Sequence, residues 1–92
     1  MRVVWADSAR RDFDTAMAYL TERSPAAADR IGERILSAVS LLEDFPEIAQ
    51  ASQHRGLRQL VVVRTPYLVV YRVQNGEVEI RAVVHAKRKR RK

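Results

Sequence analysis

The sequence predicts one α+β domain: an N-terminal strand, an antiparallel helix hairpin, then a three-stranded antiparallel meander with the helices packed on one face of the sheet. Three observations predict it. Up to about residue 45 the apolar side chains recur every three or four positions, from Leu57 onward they recur every second one, and Asn75-Gly76 separates two of the later runs. With 92 residues there is room for a single small core. Without cysteine neither a disulfide nor a zinc ribbon can staple it, so it must rely on packing or on a partner.

Val3-Val4-Trp5 opens the chain as a short strand. Asp7 stands where a helix N-cap is expected, because a carboxylate there accepts from the unpaired amides of the first turn. Ala9, Phe13, Ala16, Met17 and Leu20 then fall on one helix face, and this helix should end near Arg23. Ser24-Pro25 starts a second helix, since serine caps well and proline loses nothing at the first helical position. Its stripe is Ala28, Ile31, Ile35, Ala38 and Leu42, closed by Phe45-Pro46 because the residue before proline is pushed out of the helical region.

A polar loop from about Pro46 to Gly56 leads to the strands. Asn75-Gly76 tolerates the positive φ angles of a type I′ turn, which pairs Val73 with Val78, Arg72 with Glu79, Tyr71 with Ile80 and, in an unbroken ladder, Leu68 with Val83 and Tyr67 with Val84. Directly opposed residues share a face. Tyr67, Val69, Tyr71, Val73, Val78, Ile80, Ala82 and Val84 should therefore pack on the helices, leaving Leu68, Val70, Arg72, Glu79, Arg81, Val83 and His85 on the outer face. If Thr65-Pro66 is a two-residue loop, Leu57 to Arg64 adds Gln59, Val61 and Val63 outside and Leu60 and Val62 inside. The outer face would then show Val61, Val63, Leu68, Val70 and Val83 together, more apolar surface than a lone domain leaves wet. A partner is expected to cover it, the alternative cover being the 46–56 loop or the tail.

Lys and Arg number 17 against 11 Asp and Glu, for a formal charge of +6, but Lys87 to Lys92 are all basic and residues 1–86 balance at eleven of each sign. The chain thus divides into a mixed-charge domain, 1–86, and a basic tail, 87–92. The tail is either a solvated run or a salt-dependent contact for a phosphate-bearing or acidic target. No stretch is long and apolar enough to span a membrane, which points to a cytoplasmic protein. Two histidines, His54 and His85, are a poor basis for a metal site, and scattered glycines offer no phosphate cradle, so no cofactor is expected. Asp7, Asp12 and Asp14 are accounted for by the helix dipole. The serines lack nucleophile-elbow spacing. His85, beside the basic run, is the one candidate proton shuttle or phosphate ligand.

In order and spacing, a set of residues resembles the RelE/ParE toxin family over nearly the whole chain. They are Trp5 with Ala9 and Asp12-Phe13, Tyr19, Ser24-Pro25 with Ala27-Ala28, Leu42 with Pro46, Arg58 with Leu60, Thr65-Pro66-Tyr67, Tyr71-Arg72-Val73, and Val78-Glu79-Ile80 running into Val83-Val84-His85. Ala49 departs from the pattern, since relatives usually carry glycine there. The resemblance implies the toxin half of a type II toxin–antitoxin pair, with a cognate antitoxin whose flexible segment wraps the toxin and through which operator DNA is reached. Two activities lie beneath it: RelE-like members cut mRNA in the ribosome, and ParE-like members poison DNA gyrase. A third possibility is a non-toxic member that acts only in its antitoxin complex.

Cutting RNA without a metal needs cations around the phosphorane and a group to move the 2′-hydroxyl proton. The positions that resemble the ribonuclease branch's basic residues hold Gln59, Val61 and Leu68 here, with Arg88 the one cation retained and His85 the one base. Losing three cations forfeits several kcal/mol, at about 2.7–4 kcal/mol for one oxyanion donor. The resemblance therefore favours the ParE-like branch, a gyrase inhibitor with no catalytic site. On that reading Arg58, Arg81, His85, Lys87 and Arg88 are expected to meet the target, and Leu68, Val70 and Val83 to face the antitoxin. On the ribonuclease alternative His85 and Arg88 are the catalytic candidates.

Overall fold

The structure, a computed structural model, describes residues 1–54 and 56–89, the last two of these as backbone. The chain runs β1 (Arg2–Trp5), α1 (Asp7–Arg23), α2 (Pro25–Leu41), β2 (Gln50–Ala51), β3 (Arg58–Val61), β4 (Tyr67–Gln74), β5 (Glu77–His85) and α3 (Ala86–Lys89). The fold is α+β, but the sheet is not a simple meander. It has five strands in the order β1-β5-β4-β3-β2, with β1 lying parallel to β5 and β2 forming inside the loop expected to be irregular.

Both helices follow their stripes. Ser24 Oγ accepts from the Ala27 amide at 3.2 Å and starts α2 as expected. Asp7 is not the cap of α1: Ala6 holds that place in extended geometry, because its own amide donates to Ile80 O at 2.9 Å as the last rung of β1. Asp7 is instead the first helical residue, where its charge still complements the dipole. The second helix ends at Leu41, four residues before Phe45, and its last turn is closed by the Leu42 and Phe45 amides. Gly32 permits the close approach of the two helices, since a Cβ there would lie 3.0 Å from Met17 Sδ.

The core joins Ala9, Ala16, Ile31, Ile35, Val39 and Leu42 of the helical layer to Val69, Tyr71, Val78, Ile80 and Val83 of the sheet. Asn75 (φ 55°) and Gly76 (φ +75°) make the expected turn, and the pairs from Gln74–Glu77 to Tyr71–Ile80 are those the turn dictates. There the ladder breaks. Arg81 is skipped, and Val70 pairs with Ala82, Val69 with Val83, Leu68 with Val84 and Tyr67 with His85. A one-residue slip moves every later side chain to the opposite face. Val83, expected outside, is thus in the core at 7% exposure, and Ala82 and Val84 take the outer positions.

The cause lies on the other edge of β5. β1 ends at Trp5, opposite Ile80, and beyond it α1 takes over the pairing: Ser8 Oγ donates to Arg81 O at 3.1 Å, and Asp12 Oδ2 accepts from the Val83 amide at 3.1 Å. Ser8 and Asp12 are one helical turn apart and so share a face. At β3 the register also differs, with Val61 opposite Leu68 and four residues, 63–66, in the turn. A shift of two keeps the faces, so Leu60 and Val62 are inside and Val61 and Val63 outside as expected.

Two cross-strand partners on the inner face, Arg58 and Tyr71, fasten the segment after α2. Tyr71 Oη donates to Pro46 O at 2.8 Å, and Arg58 Nη1 donates to Ala49 O at 2.6 Å. Burial pushes the Tyr71 hydroxyl above its usual titration range, against an opposing pull from an Ala49 backbone hydrogen bond and the Arg58 charge. Tyr71→Phe leaves the Pro46 carbonyl unpaired and should cost about 1–3 kcal/mol in urea denaturation, with faster amide exchange in residues 46–51. An unchanged midpoint would show that the hydroxyl does not hold this segment.

Candidate functional site

Three surface features can be built from these elements. The first is a trough of about 580 Å³ between α2 and β3. Arg30, Glu33, Arg34 and Ser37 line one wall at helical spacing, and Leu41, Leu60, Val61 and Val63 supply an apolar floor and far wall. Val61 is 64% and Val63 68% exposed. The contiguous apolar face expected from the sequence is therefore displaced toward the β3 side. Leu68 and Val70 do lie on the outer face, but in the central strand they are flanked by Val61 and Val84 and by Gln59 and Ala82, and only 7% and 8% of each is exposed. Val83 is inside.

The second feature is a charge ladder across β4 and β5. Arg72 Nε bonds Glu79 Oε1 at 2.9 Å, and Arg81 Nη1 reaches the same oxygen at 3.3 Å. Glu79 titrates below its ordinary range, chiefly through the Arg72 hydrogen bond, with burial opposing and Arg81 assisting. The expected Arg72–Glu79 pair is thus present, and Arg81, two residues beyond Glu79, joins it.

The third is a smaller pocket of about 200 Å³ between α1 and the end of β5, lined by Asp12, Thr15, Tyr19, Tyr67, Val83 and His85. His85 meets the Tyr67 ring edge-on at 5.3 Å between centroids. Its Nδ1 is buried without a hydrogen-bond partner among the described residues.

The candidate target-binding residues are not brought together. Arg58 is committed to the Ala49 carbonyl on the inner face, Arg81 joins the Glu79 ladder, and His85 lines the α1 pocket. Lys87 is exposed on α3, whereas the side chain of Arg88 and residues 90–92 lie outside the described residues. Gln59 Nε2 bonds Ser52 Oγ at 3.2 Å. The outer face thus offers apolar contact and two arginines that share one carboxylate, an arrangement suited to binding a surface more than to stabilising a phosphorane. Among the described residues no three His, Asp or Glu converge as a metal site. The sequence reading missed the trough, although Arg30, Arg34, Ser37 and Leu41 at spacings of three and four already mark an unburied flank of α2.

A family model described as the ParE toxin of a type II toxin–antitoxin system, parDE, matches residues 3–90. A toxin named Y4kP of Sinorhizobium fredii is 35% identical over 85 residues, 92% of this chain and 88% of its own length. A toxin named RelE2 of Caulobacter vibrioides is 37% identical over 87 residues, 95% of this chain and 97% of its own. Among solved structures, the chromosomal ParDE toxin–antitoxin system of P. aeruginosa includes a chain that superposes with a TM-score of 0.80 at 24% identity, over 92% of this chain and 95% of that one.

The depressed Glu79 carboxyl predicts a pH dependence. A carboxylate whose folded pKa lies below its unfolded value stabilises the fold above the unfolded pKa and loses that contribution as pH falls through the folded one. In low salt, wild type should exceed Glu79→Gln in denaturation midpoint at neutral pH, and the gap should close as pH drops through and below the ordinary carboxylate range. A gap independent of pH would contradict the pairing.

Proposed function

Because the chain belongs to the ParE toxin family of type II toxin–antitoxin systems, we propose that this toxin acts by binding DNA gyrase and not by cutting RNA. The observation that carries this reading is the chemistry of the outer face. Where a metal-free ribonuclease would need cations, Gln59 is tied to Ser52, Val61 is an exposed apolar side chain and Leu68 is buried. Arg72 of that face is paired with Glu79, and Arg81 shares the same carboxylate oxygen.

Membership in the family implies a cognate antitoxin. We assign its docking to the α2–β3 trough, because Val61, Val63 and Leu41 present there the apolar surface that a lone domain seldom leaves wet. Operator DNA would be reached through the antitoxin. Gyrase contact is assigned to the exposed cations Arg81 and Lys87 and to the basic residues that follow from Arg88. Arg58 is a poorer candidate, since its replacement would release the Ala49 carbonyl and disturb the loop whatever the target.

The test is a gyrase supercoiling assay with antitoxin-free protein, run beside ribosome-programmed mRNA in the same buffer. Inhibited supercoiling with intact mRNA is the expected result. Cut mRNA with unaffected gyrase would overturn it, favour the activity suggested by the name of the RelE2 relative, and make His85 and Arg88 the first residues to replace. In the gyrase assay, Arg81→Gln with Lys87→Gln should weaken inhibition about tenfold, the effect of losing roughly 1.4 kcal/mol. An unchanged inhibition curve would remove both residues from the contact.

A further inference from the structure

One flank of α2 faces solvent, and its side chains are complementary to themselves. Arg30, Arg34, Ser37, Leu41 and Asp44 follow one another at spacings of four, three, four and three, which keeps them in one stripe along the helix and the turns that close it. Those turns stay close to helical, since the Asp44 and Phe45 amides both donate to Leu41 O, at 3.2 and 3.0 Å. Arg34 is half-buried and the other four are exposed. The stripe begins in cations and ends in carboxylates. Arg30 and Arg34 stand at one end, Asp44 with Glu43 and Glu47 at the other, and none of the described residues forms an ion pair with any of them. Exposed apolar side chains accompany it: Leu41, Val61 and Val63 in the trough, and Phe45 and Ile48, each 54% exposed, just past its end.

An uncharged segment laid on this flank would displace water from both guanidiniums and leave them unpaired. A polyanion would meet the carboxylates at the other end. A second copy of the same stripe, laid antiparallel, satisfies both ends at once. Ser37 is its midpoint, seven residues from Arg30 and seven from Asp44, about 10 Å each way along the helix axis. A two-fold axis through Ser37 therefore sets each Arg30 beside the second copy's Asp44, so that one contact is made twice. We propose that, free of antitoxin, this toxin associates with a second copy of itself through the α2 stripe. Arg30 and Arg34 of each copy pair with the 43–47 carboxylates of the other, and the apolar 45–48 segment of each lies against the other's trough. Glu33, on the same wall as the arginines, lessens the charge of that end without cancelling it. The contact covers the surface assigned to the antitoxin, so the two compete. The inference depends neither on that assignment nor on gyrase as the target.

The experiment is sedimentation equilibrium of the full antitoxin-free chain across a concentration series at low and high salt. A monomer–dimer equilibrium with a Kd in the roughly micromolar range is expected, weakened about tenfold where salt screens the charge pairs. Arg30→Glu with Arg34→Glu, and separately Glu43→Lys with Asp44→Lys and Glu47→Lys, should each stay monomeric throughout the series, because each brings like charges together. An equimolar mixture of the two variants should dimerise within about threefold of wild type, since both ends are then opposite in sign again. None of the substituted side chains is buried, and a thermal melt checks each fold. A wild type that is monomeric throughout, a dimer that either variant retains, or variants that stay apart when mixed would each overturn the α2 contact. Antitoxin docking in the trough is read from a separate affinity measurement and is not touched by these outcomes.

Discussion

One hydrogen bond, from the Val83 amide to the Asp12 carboxylate, decides which way the second half of β5 faces. The first half is paired on both sides, by β1 and by β4. Where β1 stops at Trp5, an open sheet edge would leave the Arg81 carbonyl and the Val83 amide to water. Ser8 and Asp12 take both groups from the first turns of α1. Coupling a helix to a strand in this way accommodates the extra residue of the bulge: Arg81 is left without a partner on β4, Val83 turns into the core against Val69, and His85 comes to rest beside Tyr67.

That turn redistributes the surface on which a toxin of this family would work. An unbroken ladder would have spread one apolar face from Val61 to Val83. With Val83 inside and Leu68 and Val70 shielded by their strand neighbours, the exposed apolar side chains on this side are Val61, Val63 and Leu41, along the α2–β3 trough. The segment after α2 is held by Met1, whose ammonium donates to Glu43 O at 2.7 Å, and by Tyr71 and Arg58 at the Pro46 and Ala49 carbonyls. The bonds to Glu43 and Pro46 span 42 and 25 residues, so they define the segment only once the sheet has formed.

The helices and the 75–76 turn were legible because their signals are local: a 3.6-residue stripe, a serine before proline, and two residues that accept positive φ. The faces of β3 are the same whether the turn has two residues or the four observed, because the difference is an even number. The bulge was not legible, since nothing within Glu77–His85 differs in pattern from a continuous strand, and its cause sits about seventy residues away in Asp12. For the same reason Asp12 read only as a helix-dipole charge, and Arg58 as a free surface cation. The parallel pairing of β1 was equally hidden, because Val3-Val4-Trp5 carries no turn that names its neighbour. As for the candidate surface, Val61 and Val63 face outward as alternation predicts, whereas the bulge turns Val83 inward.

The measurement that bears most directly on where the antitoxin binds is its affinity for the Val61→Asp, Val63→Asp double variant beside wild type. Both side chains are exposed, so the substitutions leave the core intact, as a thermal melt would verify. Placing two carboxylates in an apolar interface should weaken binding at least about tenfold, with Arg30 and Arg34 of the facing wall offsetting part of the cost. Affinity within about twofold of wild type would contradict docking in the α2–β3 trough and move the antitoxin to another face of the domain.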